Sequence, residues 1–210
     1  MLEILEDIAE LFVGNKRQSA LRHFARQKGF SYIRRLDPYQ LPAAVRQLGF
    51  ADSKKKKKSL RGVLTKQLSD NGIFVTIFDY VHYHDFGPKT TTVYMYEVTD
   101  LDVPSFAVRP RNPLSKIGSI FSSSEWSEVN KQFDRGWTVE SADMNHMRMT
   151  ITFQFAEEII KLPDWHVEGV GPYIVGYRMH EATDIIDMDN AHDVMLELID
   201  IIGHDNVDQL

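Results

Sequence analysis

The chain contains no cysteine. That removes disulfide staples, thiolate nucleophiles, cysteine-ligated zinc and iron–sulfur clusters together, and it fits a reducing compartment. No apolar run approaches the roughly 18 residues that a membrane-spanning helix needs. A basic excess is missing too. The formal net charge is -6 over 210 residues, which argues against nucleic-acid binding, where cations gather on one face. Nor is there a glycine-rich phosphate loop, a G-x-S-x-G elbow or an H-E-x-x-H pair, so those enzyme classes have no starting motif. Glu3, Glu6, Asp7 and Glu10 stand where an export signal needs a basic start and an unbroken apolar core. The expectation is a cytoplasmic protein with no nucleic-acid partner.

What is present is an ordinary globular composition, 43% hydrophobic and 26% charged, long enough for one substantial core. Leu2, Leu5, Ile8, Leu11 and Phe12 recur at helical spacing between acidic residues. After Gly14 and Asn15, Ala20, Leu21, Phe24 and Ala25 resume the pattern up to a capping glycine, Gly29. Residues 1–28 therefore read as an amphipathic helical arm, 29–203 as one domain and 204–210 as a polar tail. The arm's apolar stripe suits packing on the core or on a second copy of the chain. Its acidic half disfavours a membrane surface, because anionic headgroups repel it. Five consecutive lysines, 54–58, read as a solvated loop, with contact to an anionic partner as the alternative.

Strand signals dominate the middle of the chain. Phe30 to Arg34 alternates. Pro38 and Pro42 bracket a break before a short helix reaching Leu48. Asn71-Gly72 is a hairpin turn signal between VLTKQL and the run from Ile73 to His84, whose two faces are both apolar, as a central strand requires. Thr90 to Val98 returns beside it. Pro104 is expected to break the sheet before a short strand at Phe106–Arg109. A capped helix to about Phe133, a strand at Trp137–Ser141, a mainly helical 149–160, a hairpin around Gly169–Pro172 and a last helix from about Asp187 to Ile202, ended by Gly203, complete the reading. The fold class is α+β: a mostly antiparallel sheet with packed helices.

The order of several loose motifs resembles a family of uncharacterised bacterial proteins that commonly carry an amino-terminal membrane anchor. They run from an A-x-x-x-G-F-x-Y start at Ala25 to Tyr32, through Phe78-Asp79-Tyr80 at a strand's end and Thr91 to Val93, to the V-R-P segment within Val103 to Pro110. A stretch from Glu125 to Phe133 and a piece from Val139 to Asp143 follow. The resemblance covers roughly Phe24 to Arg178. It implies a related fold and no particular activity, and the acidic helix here stands where relatives have membrane-spanning ones.

Two constellations could carry chemistry. His82 and His84, two apart on a strand, point to one side and could share a divalent metal with His146, His166, His180 or Glu97. The plainer reading is a solvated strand end. Asp79, an acid within an apolar strand, must be exposed, paired or perturbed. Arg61, Arg109 and Arg111 are the candidate partners, and Asp79 with Arg109 is the candidate ligand-binding pair. The tryptophans and other aromatics read as core and interface. The reading is a non-catalytic interaction or ligand-binding protein without a cofactor, self-associating through its amino-terminal helix or meeting another protein partner. The alternatives are a metal-dependent hydrolase on His82 and His84, or a peripheral membrane protein.

Overall fold

A computed structural model describes residues 16–51, 58–68, 72–84, 87–111 and 128–207, with backbone alone for 84, 128–130, 148–150 and 204–207. Among the described residues eight strands form one antiparallel sheet. They are β1 (Ser31–Leu36), β2 (Lys58–Leu68), β3 (Ile73–His84), β4 (Gly87–Val98), β5 (Val103–Pro110), β6 (Trp137–Ser141), β7 (Trp165–Gly171) and β8 (Tyr173–Arg178). Their spatial order is β1-β2-β3-β4-β8-β7-β5-β6. The α+β reading holds.

The run from Ile73 to His84 is indeed central: β3 pairs with β2 along one side and with β4 along the other. Its alternation splits the core in two. Ile73, Val75 and Ile77 point to a layer of helices. Phe78 and Tyr80 point to the opposite face. The helical layer holds α1 (described over 16–28), α2 (Glu128–Gly136), α3 (Met144–Thr150), α4 (Phe153–Ile159) and α5 (Met188–Val207). α1 stops at Gly29, whose φ of +71° is the left-handed conformation that glycine adopts without a Cβ clash. Its Leu21, Phe24 and Ala25 are buried in the helical-side core, so this part of the expected arm belongs to the fold. The other face is covered by residues 37–51, which carry two short 3-10 helices, Pro38–Gln40 and Val45–Gln47. Phe50 anchors that cover, with its ring 5.4 Å from Tyr80, 5.6 Å from Tyr177 and 6.0 Å from Phe78.

Three sequence expectations change. Pro104 lies inside β5 rather than before it, because the β5–β7 register shifts between Val103 and Phe106; an irregularity there spares the sheet a hydrogen bond that proline cannot donate. Gly203 does not end α5, which continues to Val207; one interior glycine costs only about 1 kcal/mol, and the buried Leu198, Ile199 and Ile202 hold the helix down. The helical stretch at 149–160 is split at Thr152, whose hydroxyl accepts from the Phe155 N–H and starts α4 afresh.

In the helical layer the His192 ring stacks on Tyr96 at 5.7 Å, and its Nδ1 lies 2.8 Å from the Tyr96 hydroxyl. Burial holds the imidazole below its ordinary pKa, against an opposing pull from Asp193. A histidine lowered in this way favours the folded state while it is neutral. The unfolded chain takes up the proton first, near pH 6.5, so stability present above about pH 6.5 is lost as pH falls toward the folded value. His166, lowered by burial as well, acts in the same direction. We expect the denaturation midpoint to drop between about pH 7 and about pH 5, and His192→Phe to flatten that drop relative to the native chain. Superimposable midpoint-against-pH curves for the two proteins would contradict this.

Candidate functional site

The sequence singled out Asp79 as needing a partner, and the structure supplies Arg17 of α1. Arg17 Nε donates to Asp79 Oδ2 at 3.0 Å and Nη2 to Oδ1 at 3.1 Å. The Thr92 hydroxyl donates to Oδ1 at 2.7 Å. Arg17 Nη1 also reaches the Thr183 carbonyl at 2.6 Å, and the Thr183 N–H donates to Thr92 Oγ1 at 2.9 Å. The carboxylate is thus occupied by a fork from a helix and a hydroxyl from β4. None of the expected arginines fills this role. Arg61 lies opposite Asp79 in the β2–β3 register, yet its guanidinium donates to the Tyr83 hydroxyl at 2.9 Å. Arg109 lies on the other face of the sheet. The structure does not bring Asp79 and Arg109 together.

Arg109 belongs to a second network, which sequence reasoning missed. Its centre is Glu168 of β7, 1% exposed. Tyr177 donates its hydroxyl to Glu168 Oε1 at 2.7 Å, Arg109 donates Nε to the same oxygen at 3.2 Å, and the Gly49 N–H donates to Oε2 at 2.8 Å. Gly49 is required for this approach: a Cβ there would stand 2.6 Å from Glu168 Oε1 and 2.7 Å from the Tyr177 hydroxyl. Burial and the adjacent carboxylate push the Tyr177 phenol far up, so it serves as a hydrogen-bond donor. The signal was present in the sequence: Trp165 and Val167 turn to the helical core, leaving His166 and Glu168 on the covered face, an acid among apolar neighbours like Asp79. A shallow hollow of about 310 Å³ lies above Arg109 and Glu168, but both Glu168 oxygens are already engaged.

The His82 ring is buried and lies 5.0 Å from the ring of His180, one of the expected third ligands. The His84 side chain lies outside the described residues. His166 is stacked on Tyr177 at 5.0 Å, Glu97 pairs with Phe74 and Tyr173 in the sheet, and His146 sits in α3. Among the described residues no group of three or more His, Asp or Glu side chains is placed to hold a metal ion.

A wider opening than this hollow lies elsewhere. A cleft of about 840 Å³ lies where β1 leaves the sheet, and its lining includes Arg35, Tyr39, Arg46, Lys58, Ser59 and Tyr80. The local sequence explains it. β1 ends at Leu36, opposite Leu60, because Asp37 turns to cap a 3-10 helix and Pro38 has no N–H for the ladder. Lys58 and Ser59 of β2 therefore run past the end of β1 with no β1 partner. The cover segment folds over this gap, and Leu41, Ala51 and Tyr80, members of the second core, form its apolar side. Of these residues the sequence marks Lys58, the last of the lysine run, as a candidate contact for an anionic partner; 54–57 lie outside the described residues.

No family model matches the chain, and no curated protein matches it. Its structure is similar to the crystal structure of the mycobacterial trehalose monomycolate transport factor A, TtfA, with a TM-score of 0.62 over 88% of this chain and 93% of that one. Sequence identity is 13%. The likeness is one of fold. Among the described residues no helix is long and apolar enough to cross a membrane.

Proposed function

We propose that the chain is a non-catalytic binding protein whose ligand occupies the cleft at the end of β1. The observation that carries this is the contrast between the carboxylates and the cleft. Asp79 and Glu168, the acids best placed for catalysis by burial, are consumed in holding a helix and a cover segment to the sheet. The cleft, in contrast, is open, apolar on one side and polar on the other, and of the size that small ligands occupy. The fold neighbour is named a transport factor, which is in keeping with binding rather than chemistry.

The test uses N-phenyl-1-naphthylamine, a neutral fluorescent probe. Saturable one-site binding to the native chain is expected. Tyr39→Ala, which removes a side chain that is 80% exposed and so spares the fold, is expected to weaken it about tenfold, the worth of one aromatic contact. Absence of saturable binding, or binding indifferent to Tyr39→Ala, counts against the cleft as the ligand site.

A further inference from the structure

We infer that the ligand of this cleft is an anionic amphiphile: a phosphate or carboxylate head seated among Arg35, Arg46 and Lys58, with an apolar body lying toward Tyr39 and Tyr80. This rests on the cleft being the binding site and adds the chemistry of what fills it.

The first observation is charge. In a chain of net charge -6, the cleft gathers three cations against one acid, Asp37. That acid is already engaged, since its Oδ1 accepts from the Tyr39 N–H at 2.9 Å as a helix cap. The three cations are not spent on carboxylates. Among the described residues Arg17, Lys28, Arg109, Lys161 and Arg178 hold acids, whereas Arg35, Arg46 and Lys58 hold none. Arg46 lies over the Tyr39 ring at 5.7 Å, and Lys58 Nζ donates to the Ala51 carbonyl at 3.1 Å. Neither contact is with a carboxylate.

The second observation is the geometry of the strand end. Ser59 is 3% exposed, and its hydroxyl has no hydrogen-bond partner among the described residues. That hydroxyl is on the face of the sheet opposite Leu60 and Tyr80 and does not enter the cleft; what borders the cleft is the stretch of β2 at Lys58 and Ser59 that β1 leaves without a partner. Arginine's planar fork matches two oxygens of a carboxylate or phosphate, and lysine adds a point charge. The apolar side of the cleft has no use for a bare ion. An amphiphile satisfies both sides at once.

The experiment compares octyl phosphate with octyl glucoside, the same tail with a neutral head, by displacement of N-phenyl-1-naphthylamine from the native chain at low salt. Octyl phosphate is expected to bind at least about tenfold more tightly, with an affinity that falls as salt is added. Arg35→Gln with Arg46→Gln should remove most of that preference and leave octyl glucoside unchanged. Equal affinity for the two heads overturns the anionic assignment and leaves the cleft a binding site; failure of both ligands, with failure of the neutral probe, removes the site itself. Inorganic phosphate binding as tightly as octyl phosphate overturns the amphiphile in favour of a free anion. Binding to phosphatidylglycerol vesicles without binding of monomeric octyl phosphate overturns it in favour of a membrane surface.

Discussion

Replacing Glu168 with alanine is expected to cost the fold about 3–5 kcal/mol, the range for removing one partner from a buried charged network. Three elements converge on that carboxylate: Tyr177 of β8, Arg109 of β5 and the Gly49 backbone of the cover. Deleting it leaves the Tyr177 hydroxyl and the Gly49 N–H buried without their acceptor. Arg109, which also reaches Glu140 at 3.4 Å, can turn to water and loses less. Glu168→Gln tests the logic more finely. It keeps the volume but replaces one acceptor by an NH2 group that must face a donor, so about 2–3 kcal/mol is expected. Tyr177→Phe, which removes a donor and leaves the charge on Arg109 and Gly49, should cost about 1–2 kcal/mol. Chemical denaturation with a common m value measures all three. Near-equal losses for Glu168→Ala and Tyr177→Phe would show that the carboxylate is not the hub.

The Arg17–Asp79 pair should show an asymmetry that identifies which side is buried. The Asp79 side chain is 5% exposed and that of Arg17 is 20% exposed. Removing Arg17 strands a carboxylate in a nearly closed site with the Thr92 hydroxyl as its remaining named donor, and about 3–5 kcal/mol is expected. Removing Asp79 leaves a guanidinium that still has the Thr183 carbonyl and a path to water, and about 2–3 kcal/mol is expected. Arg17→Ala should therefore be the more damaging of the two, and the double variant should be far less damaging than the sum, because neither charge is then left alone. Additive losses would mean that the pair is not coupled.

The sheet was legible because its evidence is local. Alternation over Ile73 to His84 fixes which residues share a face, and apolar residues on both faces fix a central position. A glycine after the last periodic residue of α1 marks its end. The errors also have local causes. A lone Pro104 marks a lost donor but not the bulge that excuses it, and a lone Gly203 marks a terminator but not the buried residues around it. The sites were harder because their partners are remote. The burial of Asp79 could be inferred from its strand. Its partner could not, since Arg17 is on a helix whose register against β3 is set by packing that periodicity does not encode. Register alone favoured Arg61, which the fold spends on Tyr83. Glu168 carried the same mark as Asp79, an acid in an apolar strand, hidden within a hairpin read for its glycines. The cleft arises from a strand ending early beside one that continues, and a single sequence shows each strand but not their offset.

The hairpin β7–β8 lies between β4 and β5, although β5 follows β4 directly in the chain. While the protein is being synthesised, β1 to β4 can assemble as a meander as soon as they emerge, whereas β4 must wait for Trp165–Arg178 before its outer edge is paired. Until then that edge offers Val93, Tyr94, Met95 and Tyr96 to any other strand. The order of assembly is thus written into the topology: a local half that can close early, and a non-local closure that comes late and limits the rate. Chains halted before Trp165 are the ones that should aggregate.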